Sequence, residues 1–273
     1  MKIKNYQTKE MSRDAPEGFP NKAFLGMLYA SKGMGKTNLL VNIVKAFGKT
    51  KTYDKVYLFS PTASSDSKYD NLKSNSYEFK VFNTYTDEIF REVIDEIKQD
   101  IEDWKEYIQM KELYEKSKTA KSHDIFKDDE LIDLFILNFK HPEEPRFKRE
   151  PWSLIIFDDL ASNKELMSNK KSLMNSIALL VRHLNISMLF SVQIYRNAVP
   201  KMIRNNLDWW ILAKSKSKED MASVAQELTS YATMSDIATM WEKATLMPYN
   251  FFCINLMMGD KYRFTKNLNE PIE

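Results

Sequence analysis

Apolar positions along the 273-residue chain form short continuous runs, separated by stretches with helical spacing, a pattern of buried parallel strands alternating with helices. The runs at Leu25–Ala30, Lys55–Ser60, Phe79–Phe82, Pro151–Leu160, Ile186–Val192 and Asp208–Lys214 predict strands. Leu39-Leu40-Val41-Asn42-Ile43-Val44 predicts a buried helix. From Thr86 to about Ser117 a long helix is predicted, with Phe90, Val93, Ile94, Ile97, Ile101, Trp104 and Ile108 on one stripe and acidic residues opposite. A second helical stretch covers Asp124–Phe139, and His141–Pro151 is a charged connector with several prolines. Ser172–Leu184 carries Leu173, Ile177, Leu180, Val181 and Leu184 at helical spacing. Pro200 suits the first turn of a short helix, and Lys218–Ser230 and Ser235–Thr245 predict two more. Tyr249–Met257 and Lys261–Thr265, flanking Met258-Gly259-Asp260, predict a closing hairpin. Residues 1–21 are polar and irregular, and Pro61–Asn75 is a polar loop. The expectation is an arm over 1–21, then one α/β domain over 22–273 with a helical insertion at about 86–150 packed on the sheet. A three-layer sandwich is expected, its sheet mostly parallel with an antiparallel C-terminal edge.

The junction between the first strand and first helix carries the most chemistry. Ala30-Ser31-Lys32-Gly33-Met34-Gly35-Lys36-Thr37 is a tight loop in the strand–loop–helix setting of a phosphate-binding loop. Loop and helix N–H groups would face a polyphosphate, favoured by the helix dipole. Lys36 would reach the β- and γ-phosphates, and the Thr37 hydroxyl would bind Mg²⁺. Ala30 stands where the pattern expects its first glycine, at some strain if its φ is positive.

Pro151–Leu160 is too short for a helix, and its apolar run closes in Asp158 and Asp159. At the C-terminal edge of a parallel sheet, Asp158 is placed as a hard oxygen ligand on the Mg²⁺ side. Asp159 would orient or deprotonate the attacking water. The strand Ile186–Val192 follows the Arg182-His183 pair and ends in Gln193.

The loop, Phe157-Asp158-Asp159-Leu160, Arg182-His183, the strand ending in Gln193, and Pro200–Asn206 together resemble the genome-packaging ATPases of large DNA viruses, poxviruses included. These belong to the FtsK–HerA superfamily of ring-forming DNA translocases, P-loop ATPases of the additional-strand class. The resemblance runs from about Ala23 to the closing hairpin. It implies that Gln193 senses the γ-phosphate and that Arg182 is the arginine finger inserted into a neighbour's site, with Arg204 a second candidate. The superfamily more often has Glu where this chain has Asp159, one methylene shorter.

Composition narrows the setting. A single cysteine, Cys253, excludes a disulfide framework and fits a reducing, intracellular compartment. His123, His141 and His183 are too scattered for a zinc site, and no apolar segment is long enough for a membrane span. The net charge of +2 conceals a basic segment over 1–77 (13 Lys/Arg against 6 Asp/Glu) and an acidic one over 78–150 (13 against 20). Lys164, Lys170 and Lys171 after Asp159, and Arg196 and Lys201 after Gln193, leave one sheet edge and are candidates to track DNA phosphates without reading sequence.

The expected activity is Mg²⁺-dependent ATP hydrolysis driving double-stranded DNA into a viral procapsid. The resemblance implies a homo-oligomeric ring, a capsid portal or vertex partner, and work in the host cytoplasm without a membrane. A motor for conjugation or phage extrusion carries the same residues. A nucleotide-gated assembly protein with negligible turnover is the alternative from another class.

Overall fold

The computed structural model describes residues 11–119, 141–161, 163–167, 172–196 and 198–272. Its strands are β1 (Leu25–Tyr29), β2 (Lys55–Phe59), β3 (Glu78–Phe82), β4 (Ser153–Asp158), β5 (Ile186–Val192), β6 (Trp209–Ala213), β7 (Phe251–Asn255), β8 (Phe264–Lys266) and β9 (Glu270–Pro271). Between them lie α1 (Lys36–Thr50), a 3-10 helix (Ser67–Leu72), α2 (Asp87–Thr119), α3 (Lys164–Met167), α4 (Leu173–Ala178), α5 (Lys201–Arg204), α6 (Lys218–Glu227), α7 (Met234–Ala244) and α8 (Asp260–Arg263).

The strands form one sheet in the order β3-β2-β4-β5-β1-β6-β7-β8-β9. The first six of these run parallel, and β7, β8 and β9 add an antiparallel edge, as the sequence pattern predicts. All residues of β1, β2, β4, β5, β6 and β7 are buried, which explains why their sequences run apolar instead of alternating. β5 lies between β1 and β4, so the strand ending at Gln193 separates the loop strand from the strand ending at Asp158.

Register builds an aromatic ladder on one face of this sheet. Phe82, Phe59, Phe157 and Phe190 occupy paired positions on β3, β2, β4 and β5. Their rings stack at 4.8, 5.4 and 4.9 Å. Cross-strand pairs of this kind fix register, and a one-residue slip would invert every side chain. Because side chains alternate along a strand, Phe157 on this face puts Asp158 on the other. That opposite side holds the second aromatic cluster, with Phe47 of α1 edge-on to Phe19 at 4.9 Å and to Tyr53 at 5.0 Å. Cys253 belongs to this cluster, where burial pushes its thiol up to about 12, so it packs as a small hydrophobe.

Several of the described elements depart from the sequence pattern. The predicted helix Ser172–Leu184 ends at Ala178 and continues as turns, leaving Leu179 and Leu180 exposed. Periodicity reports which side is apolar, not whether the i−4 bonds persist; here the amide of Leu180 bonds Ile177 and that of His183 bonds Leu180. The closing hairpin is antiparallel as predicted, but α8 occupies part of its second predicted strand. The Pro61–Asn75 loop contains the 3-10 helix, capped by Asp66, whose carboxylate accepts from the Lys68 amide.

Residues 11–21 are irregular but tied down. Arg13 bonds the Asp54 carboxylate at 3.0 Å, and Phe19 is buried. The chain separates into two compact units, Met1–Arg91 with Trp152–Glu273, and Glu92–Pro151. The boundary falls inside α2, whose stripe from Phe90 to Ile101 is buried. The predicted helix over Asp124–Phe139 lies outside the described residues.

Candidate nucleotide-binding site

Ala30 leaves β1 with its amide bonded to the Val192 carbonyl at 3.1 Å. It is fully buried and is not among the residues with positive φ. The strain envisaged for it is therefore absent, and an alanine meets the turn without cost. Gly33 and Gly35 instead take the left-handed positions, at φ 86° and 80°, where a Cβ is disfavoured. Gly35 caps α1 without any side-chain hydrogen bond, and the first turn of α1 carries no acidic residue. A helix N-terminus has free amides and a positive dipole end, so this one is disposed to an anion.

The Lys36 side chain, 9% exposed, folds back over the loop. Its ammonium bonds Asp158 Oδ1 and Asp159 Oδ1 at 2.6 Å each. Asp158 ends β4 and is almost wholly buried; its Oδ2 accepts from the Tyr69 hydroxyl. Burial, and then the Asp158 charge, push the Tyr69 hydroxyl well above its ordinary range, so it stays a proton donor. Asp159 has φ 54°, a left-handed conformation that Asp tolerates better than bulkier residues. That turn brings its carboxylate back to Lys36 despite the short side chain. Gln193 completes the cluster, donating from Nε2 to Asp159 Oδ1 at 2.9 Å. Lys36, Asp158, Asp159 and Gln193, distant in sequence, thus meet in one hydrogen-bonded group at the C-terminal edge of the sheet.

The group opens on a cavity of about 350 Å³ lined by the loop, by Asp159 and Gln193, and by Lys68 and Tyr249. Tyr69 and Lys68 fall in a stretch the sequence pattern marks only as a polar loop, and Tyr249 falls at the start of a predicted strand; the structure brings all three to the site. The signal for the first was there: a single aromatic in a polar loop, three residues after a capping aspartate. Tyr69→Phe leaves the buried Asp158 oxygen without its donor; a loss of roughly 1–3 kcal/mol is expected. Urea unfolding checks this, with the midpoint falling and the slope unchanged.

The two arginines lie elsewhere. Arg182, with 59% of its side chain exposed, bonds Asp208 Oδ1 at 3.2 Å. Asp208 Oδ2 accepts from the amide of Leu25, the first residue of β1. Burial raises the Asp208 carboxyl, against the lowering pull of the Leu25 amide and Arg182. Arg182 therefore stands at the N-terminal edge, one strand length from the loop, roughly 16 Å for five residues. It cannot reach the site of its own chain. Arg204 is only 11% exposed, pairs with Glu227 at 3.3 Å and lies over the Tyr195 ring at 5.0 Å. Both line one groove of about 650 Å³.

Of the cations proposed to track DNA, Lys170 and Lys171 lie outside the described residues, and Lys164 opens α3 after Asp159. Arg196 and Lys201 are exposed beyond β5, with Arg196 Nε bonding Ser223 Oγ at 2.6 Å. Among the described residues no group of three or more His, Cys, Asp or Glu is placed to hold a metal. A nucleotide-bound Mg²⁺ does not need one, since it keeps waters and phosphate oxygens with one or two protein ligands.

Loop, buried lysine, strand-end carboxylates and the interposed β5 define a P-loop NTPase fold of the additional-strand class. No protein-family model and no curated protein matches the chain. Solved structures do. The DNA-packaging ATPase B204 of Sulfolobus turreted icosahedral virus matches with TM-score 0.53 and 13% identity, over 92% of this chain and 98% of that one. The genome-packaging NTPase B204 of Sulfolobus turreted icosahedral virus 2, solved with ATP-gammaS, matches with TM-score 0.52 and 11% identity over the same shares. The conjugation coupling protein TcpA of pCW3, also with ATPgS, matches with TM-score 0.53 and 13% identity, over 92% of this chain and 61% of that one. The chain has the fold common to these packaging and coupling ATPases.

Proposed function

We propose that this protein is an ATP-driven motor that moves double-stranded DNA and packages a viral genome into a procapsid. The observation that carries the reading is β5, set between the loop strand and the Asp158 strand and ending in Gln193 bonded to Asp159. Its fold likeness to genome-packaging NTPases over nearly their whole length supports the same reading.

ATP would enter over the loop at Ala30–Thr37, and its phosphates would draw the Lys36 ammonium away from the two carboxylates. Thr37 and Asp158 would hold Mg²⁺, which supplies charge neutralisation on the β- and γ-phosphates. Asp159, released from Lys36, orients or deprotonates a water whose oxygen attacks the γ-phosphorus. The bond to the bridging oxygen breaks, and ADP leaves with the electron pair. Gln193, bonded to Asp159, changes partner as the γ-phosphate comes and goes. Its strand leads into the segment bearing Arg196 and Lys201, which would pass that change to DNA phosphates without reading sequence.

Arg182 completes the site of a neighbour in a homo-oligomeric ring. Its exposure and its distance from its own loop favour it over Arg204, which the Tyr195–Glu227 cluster retains. A guanidinium supplied in trans is worth about 10³–10⁵ in turnover. Arg182→Lys keeps the charge on Asp208 but loses the planar fork. Turnover of Arg182→Lys should fall at least about a hundredfold, and mixing it with Lys36→Ala should restore part of it. An Arg182→Lys protein of undiminished turnover, or a mixture no better than its parts, would count against a finger in trans.

TcpA shares the fold at the same TM-score, so a conjugation or extrusion motor is the second reading. Capsid or portal binding separates the two. Among the described residues no helix is long and apolar enough to cross a membrane.

A further inference from the structure

Tyr249 projects a large ring into solvent beside the phosphate loop. The residue is 79% exposed, the highest value among the exposed large hydrophobics. It also has φ 66°, a conformation that an aromatic residue adopts only when its surroundings impose it. The constraint is visible. The amide of Asn250 bonds the Met247 carbonyl at 3.3 Å, and the Asn250 side-chain oxygen accepts from Asn267 Nδ2 at 3.1 Å. Asn267 Oδ1 in turn accepts from the Phe251 amide at 3.2 Å, while its own amide bonds the Phe251 carbonyl. The loop is thus pinned to the start of β7 on one side and to the turn after β8 on the other.

The pinned ring lies against the loop glycine. A Cβ built on Gly35 would come within 3.2 Å of Tyr249 Cδ1 and 3.5 Å of Cε1. The same cavity is lined by Asn38 in the first turn of α1 and by Lys36, Asp159 and Gln193, with Asp159 bonded to both the Lys36 ammonium and Gln193. Leu246 and Met247, 73% and 65% exposed, extend the apolar surface beside Tyr249 along the chain. The exposed ring borders the loop and offers a flat apolar face to a ligand held there.

We propose that Tyr249 is the base platform of the nucleotide site, stacking on the purine of a bound ATP. The inference rests on the nucleotide site proposed above and adds the residue that distinguishes a nucleotide from a bare polyphosphate. Stacking accepts any π-face, so Tyr249 supplies affinity for a purine nucleotide rather than selection of adenine over guanine.

Calorimetric titration of the full chain with ATPγS and with inorganic tripolyphosphate tests it. Tyr249→Ala should weaken ATPγS roughly tenfold, leave tripolyphosphate within about twofold, and be rescued by Tyr249→Trp. Equal losses for both ligands would make Tyr249 a support of the loop and overturn the proposal, as would no loss for ATPγS. A wild-type protein that binds neither ligand would instead sink the nucleotide site itself. A second readout covers the case where tripolyphosphate is too weak to titrate. A fluorescent aminopurine analogue of ATP should be quenched on saturating wild type and Tyr249→Trp but not Tyr249→Leu; equal quenching by all three would contradict the platform.

Discussion

Lys36→Ala should bring ATP turnover to background, a fall of at least about a thousandfold, while the protein stays folded. The Lys36 ammonium pairs with Asp158 and Asp159 at 2.6 Å each. With ATP bound it would move to the phosphates, where preorganised charge contributes most because water is excluded. Removing it therefore deletes the phosphate contact and also leaves two adjacent carboxylates uncompensated. Asp158 keeps the Tyr69 hydroxyl and Asp159 keeps Gln193, so the fold has partners left for both. Steady-state phosphate release with circular dichroism as a folding control checks the outcome. Turnover within about tenfold of wild type would mean that the cluster is a structural ion pair and the chemistry lies elsewhere.

Trp209→Ala should have the largest effect on stability, about 3–5 kcal/mol. Trp209 is fully buried on β6, edge-on to Phe24 at 5.2 Å and close to Phe19 at 5.5 Å and Phe47 at 6.2 Å. Its indole N–H donates to Cys253 Sγ at 3.1 Å, joining β6 to β7 where the sheet turns from parallel to antiparallel. Alanine would leave a cavity between α1 and the sheet, bounded by rings that cannot collapse into it without losing their own contacts. Thermal unfolding should show the melting temperature lowered by more than about 6 °C, at about 2–4 °C per kcal/mol for chains of this size. A shift under about 2 °C would mean that this cluster is loosely packed.

The parallel sheet was legible because strands buried on both faces leave continuous apolar runs, as in Leu154–Phe157 and Ile186–Val192. Asp158, Asp159 and Gln193 were legible as the polar residues that close those runs. What the runs cannot carry is backbone sign. The left-handed turn at Asp159 lets a short carboxylate reach Lys36, and nothing in Phe157-Asp158-Asp159-Leu160 announces it. The 3-10 helix was hidden for a different reason. Its buried stripe is a single pair, Tyr69 and Leu72 three residues apart, too short to stand out from a polar loop, although the Tyr69 hydroxyl holds Asp158. The sequence pattern places Tyr249 at the start of a strand, whereas β7 begins only at Phe251. The α4 segment shows the converse case, an apolar stripe that continues past the end of the helix at Ala178.

In the proposed motor, hydrolysis belongs to an assembly working on DNA. ATP turnover per chain, measured across a protein concentration series with and without linear duplex DNA, tests it most directly. Turnover per chain should rise cooperatively with concentration and rise further with DNA. Turnover per chain that is flat with concentration and indifferent to DNA would contradict it.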